Sequence, residues 1–356
     1  MTKIQDLPTP ALVLDAARLE ANLATMAQTH PGAALRPHVK AHKCTALAKR
    51  QAAHGHATFC AATIREIEGM AAAGLGEDLL LANEVLDATR LGAVAARGAR
   101  VTVAVDSAET IEAAAKGGVG EVLIDVNVGL PRCGCAPEEA GRLAEQARAA
   151  GLEVRGVMGY EGHIVGNADR AAREAGCRAS MEKLVAAHAD VGGDVISAGG
   201  TGTYDCNTWA NEIQAGSYAL MDTAYATLGL PFQQAFFVLS TVVSLAPAGA
   251  GYAIADAGLK AFGMDHGNPA LPGGRVLFCS DEHVTFVAGR AEEDTAPSPI
   301  DWELGASPAV GDRIRLVPAH VDPTLAYHDR LYVADGETIV DEWPIDLRGW
   351  AADAVG

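Results

Sequence analysis

The chain has 356 residues, 49% of them hydrophobic, and a formal net charge of −18 at pH 7. This length and this apolar fraction are enough for two domains with separate cores. The acidic balance argues against a nucleic acid or an anionic membrane surface as partner, because both attract clustered Lys and Arg side chains.

The first two thirds of the chain alternate short apolar, β-branched segments with Ala-rich segments that begin with polar residues. This alternation predicts repeated βα units over residues 10–230, a span that fits a (β/α)8 TIM-type barrel. An open doubly wound sheet would need a Gly-rich turn after its first strand, and residues 15–18 contain no glycine. The sequence predicts nine strands, one more than a closed barrel takes, so one of them belongs elsewhere. The nine are Ala11–Asp15, Leu35–Lys40, Thr58–Ala62, Asp78–Asn83, Val101–Asp106, Glu121–Val128, Glu153–Tyr160, Asp194–Gly199 and Glu212–Asp222.

From about Pro231 the helical pattern stops and strand-like segments follow. The Asp335-Gly336 pair between two such segments is typical of a β-hairpin turn. We therefore predict a C-terminal antiparallel β-domain, residues 231–356 together with residues 1–9, beside a barrel domain of residues 10–230.

No segment has the apolar core of a signal peptide or the apolar length of a membrane-spanning helix. The seven cysteines are scattered along the chain, and Cys133-Gly134-Cys135 lacks the two-residue spacer of redox and zinc motifs. We expect a cytoplasmic protein with free thiols that binds neither membranes nor nucleic acid.

A basic and histidine-rich segment at residues 36–44, Arg-Pro-His-Val-Lys-Ala-His-Lys-Cys, stands out in this acidic chain. It lies at the carboxyl end of a predicted barrel strand, where barrel enzymes place their catalytic groups. A desolvated lysine can form an imine with an aldehyde, because its amine is more readily neutral and nucleophilic. The residues alone leave open whether Lys40 has this role or belongs to an ordinary surface loop.

Two Gly-rich segments, residues 198–204 and 215–218, follow predicted strands late in the barrel, where such folds often hold a phosphate. A phosphate dianion that leaves water needs backbone N–H donors and short hydroxyls, and both segments supply them. Tight loops also contain glycine for steric reasons, so either segment taken singly is a weak indication. The candidate phosphate contacts are Thr201, Gly202, Gly216, Ser217 and Tyr218.

A second candidate site lies in the C-terminal part, in the segment Pro-Ala-His-Val-Asp at residues 318–322. On a strand, residues two apart project to the same face, so His320 and Asp322 can reach one ion together. A histidine nitrogen and a carboxylate, with positions left for water, suit a catalytic divalent ion better than a structural zinc. A buried His–Asp pair without metal is the alternative.

Residues 8–15, Pro-Thr-Pro-Ala-Leu-Val-Leu-Asp, followed by the segment 36–43, resemble the opening of the D-threonine aldolase and D-serine dehydratase group. These are fold-type III pyridoxal-phosphate enzymes, relatives of alanine racemase, and the resemblance covers nearly the whole chain. It implies that Lys40 carries pyridoxal 5'-phosphate as a Schiff base, whereas Lys43 is an auxiliary charge or a solvated helix residue. It also implies that Arg132, in the segment 127–134, approaches the cofactor ring and that Tyr160 lines the pocket.

The same resemblance assigns His320 and Asp322 to a metal site. Members that resemble D-serine dehydratase have His-x-Cys and use zinc, while those that resemble D-threonine aldolase have His-x-Asp and accept manganese and similar ions, here Zn2+, Mg2+ or Co2+ besides Mn2+. Asp322 therefore implies retro-aldol cleavage of small D-β-hydroxy-α-amino acids to glycine and an aldehyde. His163 and His38 are candidate proton carriers, because imidazole titrates near neutral pH. A homodimer with the active site at the subunit interface is also implied.

Outside pyridoxal chemistry, a metal-dependent barrel hydrolase could use the histidines, but it would not require the Lys40 segment. Three other functions that involve pyridoxal phosphate also stay open. A D-serine or 3-hydroxy-D-aspartate dehydratase would use the same site to eliminate water and would release ammonia, which the aldolase does not. An amino-acid racemase would need a second catalytic base from the β-domain and no metal pair. A non-enzymatic carrier of pyridoxal phosphate, of the single-domain barrel type, would end near residue 230.

Overall fold

The computed structural model describes residues 2–248, 250–289, 302–305 and 307–350. The parts of the predicted β-domain at 249, 290–301, 306 and 351–356 lie outside the described residues. The chain divides into two compact units, here called the barrel unit (residues 26–216 with 346–356) and the sheet unit (residues 1–25 with 217–345). Among the residues described, none of the helices combines the length and apolar character that a membrane span requires.

The elements of the described residues alternate as predicted in the first part of the chain and are mainly strands in the second. The strands are β1 (Ala11–Asp15), β2 (Thr58–Ala61), β3 (Asp78–Leu81), β4 (Val101–Val105), β5 (Glu121–Asp125), β6 (Glu153–Gly159), β7 (Val195–Ala198), β8 (Glu212–Ile213), β9 (Phe236–Leu245), β10 (Ala253–Ala255), β11 (Gly274–Cys279), β12 (Val284–Ala288), β13 (Arg313–Leu316), β14 (Arg330–Asp335) and β15 (Thr338–Pro344). The helices are α1 (Ala16–Thr29), α2 (Thr45–Ala53), α3 (Ile64–Ala72), α4 (Thr89–Ala95), α5 (Ala108–Gly117), α6 (Ala140–Ala149), α7 (Arg170–Val191), α8 (Thr223–Ala226) and α9 (Val321–Tyr327).

The barrel unit contains a closed ring of parallel strands. Strands β2 to β8 form a seven-stranded parallel sheet in sequence order. An eighth segment, residues 35–38, closes the ring, because Leu35 pairs in parallel with Ile213 of β8 and His38 pairs in parallel with Cys60 of β2. Helices α2 to α7 connect the strands. The predicted (β/α)8 barrel is therefore confirmed.

The inside of the barrel is filled by side chains from successive strands. At the amino-terminal ends, the Arg36 guanidinium contacts the carboxylates of Asp78 (3.0 Å) and Glu212 (2.7 Å), and Arg155 contacts Asp78 at 2.8 Å. Above this polar network lies an apolar cluster from β2 to β6. The barrel core is thus packed, which leaves the carboxyl ends of the strands for binding.

The sheet unit is built around a mixed sheet in the order β11-β12-β10-β9-β1-β14-β15, with β13 also paired to β9. Most neighbours are antiparallel, and the predicted turn at Asp335-Gly336 joins β14 and β15 as a hairpin. Strand β1, predicted for the barrel, pairs with β9 and β14 and is the ninth candidate that belongs elsewhere. Its residues form a buried apolar run, which fits a strand covered on both faces in either sheet. The sequence pattern therefore could not show which of the two sheets contains β1.

The two compact units differ at their edges from the predicted ranges 10–230 and 231–356 with 1–9. Residues 10–25 and 217–230 lie with the sheet unit, because β1 is hydrogen-bonded within its sheet and the Asn22 amide donates to the carbonyls of Ala219 (3.0 Å) and Gln233 (2.7 Å). All seven cysteines are free thiols.

Candidate active site

Lys40 lies in a short 3-10 turn, Val39–Ala41, directly after the segment that closes the barrel. The backbone of His38 fixes this turn, since its N–H donates to the carbonyl of Ala215 at 3.1 Å. Gly216 packs closely against the turn: a Cβ at Gly216 would lie 2.5 Å from the His38 carbonyl oxygen and 3.0 Å from the Cβ of Ala41. Steric packing under Lys40 is thus a reason for glycine here that is independent of the predicted phosphate contact.

Three of the predicted residues meet at the carboxyl ends of the strands. The Tyr160 ring centroid lies 5.8 Å from Lys40 Nζ and 5.4 Å from Arg132 Cζ. Lys40 comes from the turn after the closing segment, Arg132 comes from the loop after β5, and Tyr160 is the residue directly after β6. The arrangement places two cationic groups beside one aromatic ring, which suits an anionic and planar ligand.

His38 has a structural role in the Lys40 turn. Its imidazole is buried, and Nδ1 accepts a hydrogen bond from the Lys40 backbone N–H at 3.4 Å. Desolvation, followed by the positive charges of Lys40, Lys43 and Arg132, holds the pKa of His38 well below its ordinary value. A neutral imidazole that accepts a backbone hydrogen bond does not fit the proton carrier that the sequence left open.

His163 is exposed and lies over the loop that follows β5. A Cβ at Gly129 would be 2.8 Å from His163 Cε1 and 2.9 Å from its Nε2. The Gly129 backbone has φ of 140°, which favours glycine, and its N–H donates to the Asn127 side chain at 3.0 Å. The imidazole is therefore at the same end of the barrel as Tyr160, where it remains a predicted proton carrier.

Glu161, which the sequence analysis missed, organises the Gly-rich loop after β7. Its side chain is fully buried, and its carboxylate accepts hydrogen bonds from the Gly199 N–H (3.1 Å), the Thr203 hydroxyl (2.8 Å) and the Asn207 amide (3.0 Å). Hydrogen bonds to an ionised acceptor are roughly twice as strong as neutral ones. A single carboxylate therefore holds three groups of the loop. In the sequence it is visible only as a charged residue between Tyr160 and Gly162.

The predicted phosphate contacts fall into two groups. Thr201 and Gly202 lie in the loop held by Glu161, and a Cβ at Gly202 would be 1.8 Å from the Val165 carbonyl oxygen. The same loop reaches Tyr160, because a Cβ at Gly200 would be 3.3 Å from the Tyr160 ring. Ser217 and Tyr218 belong to the sheet unit, in the 3-10 turn Ser217–Ala219.

The predicted metal pair lies in the sheet unit, but not on a strand. Strand β13 ends at Leu316, His320 is the N-cap of α9 and Asp322 lies in the first turn of that helix. The two side chains are nevertheless close, with His320 Nε2 and Asp322 Oδ1 4.0 Å apart. Within the described residues, Asp322 Oδ1 is buried and has no hydrogen-bond partner. A divalent ion between these two atoms would satisfy that oxygen, so the residues fit a metal.

Two further residues that the sequence analysis missed lie beside His320. Asp265 Oδ2 is 2.7 Å from His320 Nδ1, and the His266 ring stacks on that of His320 with centroids 4.0 Å apart. Potential ligand atoms of these three residues all lie within 4.8 Å of one another. Although partial burial acts against it, the hydrogen bond to His320 holds the pKa of Asp265 below its ordinary value. Both residues come from a loop without periodic pattern, which gave no signal.

A closed parallel barrel with a lysine at the carboxyl end of its closing segment, and a separate sheet unit, define the fold of alanine racemase and its relatives. Residues 14–223 match the family model of the alanine racemase N-terminal domain, and residues 235–334 match that of a putative serine dehydratase domain.

Individual relatives match over almost the full length. A D-threonine aldolase of Arthrobacter is 36% identical over 96% of this chain and 93% of its own, and a 3-hydroxy-D-aspartate aldolase of Paracoccus denitrificans is 34% identical over 97% and 93%. The crystal structure of a D-threonine aldolase from Filomicrobium marinum superposes with a TM-score of 0.86 at 34% identity, covering 97% of each chain. The chain belongs to this D-threonine aldolase-like family of fold-type III pyridoxal-phosphate enzymes, as its motifs predicted.

The family implies pyridoxal phosphate as the cofactor, and the residues of the barrel unit fit it. An aldehyde needs an amine, which Lys40 supplies, and an anionic cofactor needs positive charge, which Arg132 supplies beside the same Tyr160 ring. The Gly-rich loop held by Glu161 approaches the same ring at Gly200.

Proposed function

We propose that this protein is a pyridoxal-phosphate- and metal-dependent lyase that cleaves D-β-hydroxy-α-amino acids of the D-threonine type to glycine and an aldehyde. The observation that carries the proposal is the aspartate at the metal pair. Asp322 Oδ1 is a buried oxygen without a hydrogen-bond partner among the described residues, 4.0 Å from His320 Nε2. A carboxylate and an imidazole favour Mn2+ and similar ions, with Zn2+, Mg2+ and Co2+ as alternatives.

The barrel residues hold and orient the cofactor in this proposal. Lys40 binds it covalently, and Tyr160 and Arg132 contact its ring from the neighbouring strand ends. Pyridoxal phosphate supplies an electron-accepting system that weakens the bonds of the substrate α-carbon. The residues proposed to contact the phosphate group of the cofactor are Thr201, Gly202, Gly216, Ser217 and Tyr218.

The cleavage of the Cα–Cβ bond also needs a proton to leave the substrate hydroxyl. A divalent ion held by His320 and Asp322 supplies Lewis-acid polarisation of that hydroxyl. His163 is exposed at the carboxyl end of the barrel and is the proposed proton carrier there, whereas His38 is buried and neutral. A homodimer and a cytoplasmic location complete the proposal.

A dehydratase is the second candidate, because residues 235–334 match the family model of a putative serine dehydratase domain. Such an enzyme would use the same cofactor and metal residues but would eliminate the β-hydroxyl as water. Its products would be a keto acid and ammonia instead of glycine and an aldehyde. The identity of the products therefore separates the two functions.

The test uses the purified protein with pyridoxal phosphate and added Mn2+ or Zn2+. D-Threonine, D-serine and D-3-hydroxyaspartate are offered in turn, and glycine, aldehyde and ammonia are measured. We expect glycine and an aldehyde, and we expect borohydride to leave a stable adduct on Lys40. Lys40→Ala should remove the visible absorbance of the cofactor, while Lys49→Ala, an exposed lysine of α2, serves as the control.

Three results would contradict the proposal in different ways. Ammonia without glycine would make the protein a dehydratase. Full activity of His320→Ala and Asp322→Ala in metal-free buffer would remove the metal from the reaction. A Lys40→Ala protein that keeps its cofactor absorbance and activity would exclude pyridoxal chemistry at this lysine.

A further inference from the structure

We infer that Asp265 is a positioning residue that fixes the tautomer and orientation of His320, so that Nε2 of His320 faces Asp322 ready to bind a metal ion. The inference rests on the proposed function, in which His320 and Asp322 are the metal ligands. It adds a residue that no sequence motif indicated, on a different loop from the metal pair.

The hydrogen bond between Asp265 and His320 determines where the imidazole proton lies. Asp265 Oδ2 is 2.7 Å from His320 Nδ1, and an ionised carboxylate can only accept. Nδ1 therefore carries the proton, which leaves the lone pair on Nε2. A histidine that binds a metal commonly donates its other ring N–H to a carboxylate in this way.

The opposite side of the imidazole faces Asp322 across a gap that is too wide for a hydrogen bond. His320 Nε2 lies 4.0 Å from Asp322 Oδ1, which is too far for a direct hydrogen bond. Two ligands that are each about 2.1 Å from one ion lie about 3.0 to 3.4 Å apart at octahedral or tetrahedral angles, so these two atoms would approach by about half an ångström when they bind an ion. Asp322 Oδ1 is the buried oxygen that lacks a partner among the described residues, so the metal side of His320 is the Asp322 side.

The loop that carries Asp265 is locked onto the first turn of α9. A Cβ at Gly263 would lie 2.2 Å from Pro323 Cγ, so only glycine allows this approach. The Gly263 N–H donates to the Thr324 hydroxyl at 2.9 Å, and that hydroxyl donates to the His320 carbonyl at 2.6 Å. The backbone two residues before Asp265 is therefore tied to the backbone of His320, which gives Asp265 a defined position although its side chain is 55% exposed.

Direct metal binding by Asp265, His266 and His320 is the competing arrangement, since their ligand atoms lie within 4.8 Å of one another. The ring geometry argues against it. The rings of His266 and His320 are stacked, 4.0 Å apart and inclined by only 11°, so their in-plane lone pairs run nearly parallel and converge poorly on one ion. That arrangement would also leave the buried oxygen of Asp322 without a partner.

The test measures Mn2+ affinity of the cofactor-loaded protein by the electron paramagnetic resonance signal of free Mn2+. Asp265→Ala should weaken Mn2+ binding by about 10- to 100-fold, as expected for loss of the group that orients a metal-binding histidine. Asp265→Glu should recover part of that loss. Asp281→Asn, an exposed aspartate of the sheet unit, should bind Mn2+ like the unmodified protein.

A second readout reports the tautomer itself. In metal-stripped protein with 15N-labelled histidine, His320 should carry its proton on Nδ1, and Asp265→Ala should populate the Nε2-protonated form. Unchanged affinity and an unchanged tautomer in Asp265→Ala would overturn the inference while the metal pair stands. If the absorption spectrum of bound Co2+ shows a changed coordination number in Asp265→Ala, Asp265 is itself a ligand, and this would also overturn the inference. No Mn2+ binding by the unmodified protein, or undiminished binding by His320→Ala, would instead refute the proposed metal site.

Discussion

Replacing Glu161 by Gln tests whether one buried carboxylate prepares the Gly-rich loop for a phosphate. The side chain is fully buried and accepts three hydrogen bonds from loop groups, at 3.1 Å from Gly199 N, 2.8 Å from Thr203 Oγ1 and 3.0 Å from Asn207 Nδ2. The substitution keeps the size and shape of the side chain. It removes the negative charge and converts one of the two acceptor oxygens into a donor.

The magnitude follows from the donors that the amide cannot satisfy. If the Gln oxygen keeps Thr203 and Asn207, its NH2 group faces the Gly199 N–H, and two buried donors oppose each other. An unsatisfied buried donor costs about 1–3 kcal/mol, and the remaining bonds lose their charge assistance. Together these effects destabilise the present loop conformation by about 2–3 kcal/mol, and the loop can relieve this only by moving. If the present conformation is the one that binds the phosphate, cofactor affinity falls by about 30- to 150-fold.

The assay compares two ligands that differ only in the phosphate. Apoprotein is titrated with pyridoxal phosphate and with pyridoxal, and the absorbance of the bound form is followed. Glu161→Gln should weaken the binding of pyridoxal phosphate strongly and the binding of pyridoxal much less. Glu145→Gln, at an exposed glutamate of α6, should change neither affinity. Equal weakening of both ligands would show that the loop does not hold the phosphate, and no weakening would refute the role of Glu161.

Two further predictions concern the segment that carries Lys40. Burial lowers the pKa of His42 from 6.5 to about 4, so the unfolded chain takes up this proton first and stability falls as the pH drops from 6.5 to 4. The loss of unfolding free energy is about 3 kcal/mol by pH 4. His42→Gln should abolish this loss when the unfolding free energy is measured with urea at several pH values. A variant that keeps the full acid sensitivity would contradict this explanation. Gly216→Ala should cost about 1–3 kcal/mol of unfolding free energy and disturb cofactor absorbance, because its Cβ would lie 2.5 Å from the His38 carbonyl oxygen. Gly120→Ala, where a Cβ meets nothing within 4 Å, is the control, and equal behaviour of the two variants would be evidence against packing under Lys40.

The barrel could be predicted because alternation of strands and helices is a local property of the sequence. Membership of a particular sheet is not local: β1 has the same buried apolar pattern as a barrel strand, yet its hydrogen-bond partners lie more than two hundred residues away, in β9 and β14. The family resemblance implies that Lys40, Arg132 and Tyr160 surround one cofactor. They do lie close together, because the carboxyl ends of parallel strands share one end of the barrel.

The residues that support the site could not be predicted in the same way. Glu161 and Asp265 act through contacts between loops, which have no period in the sequence. The family resemblance makes Lys43 an auxiliary charge or a solvated helix residue. In the structure Lys43 has left-handed backbone geometry with φ of 50° and forms an ion pair with the buried carboxylate of Glu66. This pairing depends on the fold around α3, where Glu66 also accepts hydrogen bonds in the capping box.

Strand geometry predicts that the side chains of His320 and Asp322 lie close together, but in the structure they do so at the start of a helix. Side chains two apart within a helix do not face each other, so His320 and Asp322 would diverge if both were helical. His320 is instead the N-cap, with extended φ and ψ of −142° and 124°. Pro323 helps to keep it there, because proline has no N–H to donate to the carbonyl of Ala319, and its ring would clash with that carbonyl if the helix began earlier. The pair therefore depends on where α9 begins, and the proline after Asp322 fixes that point.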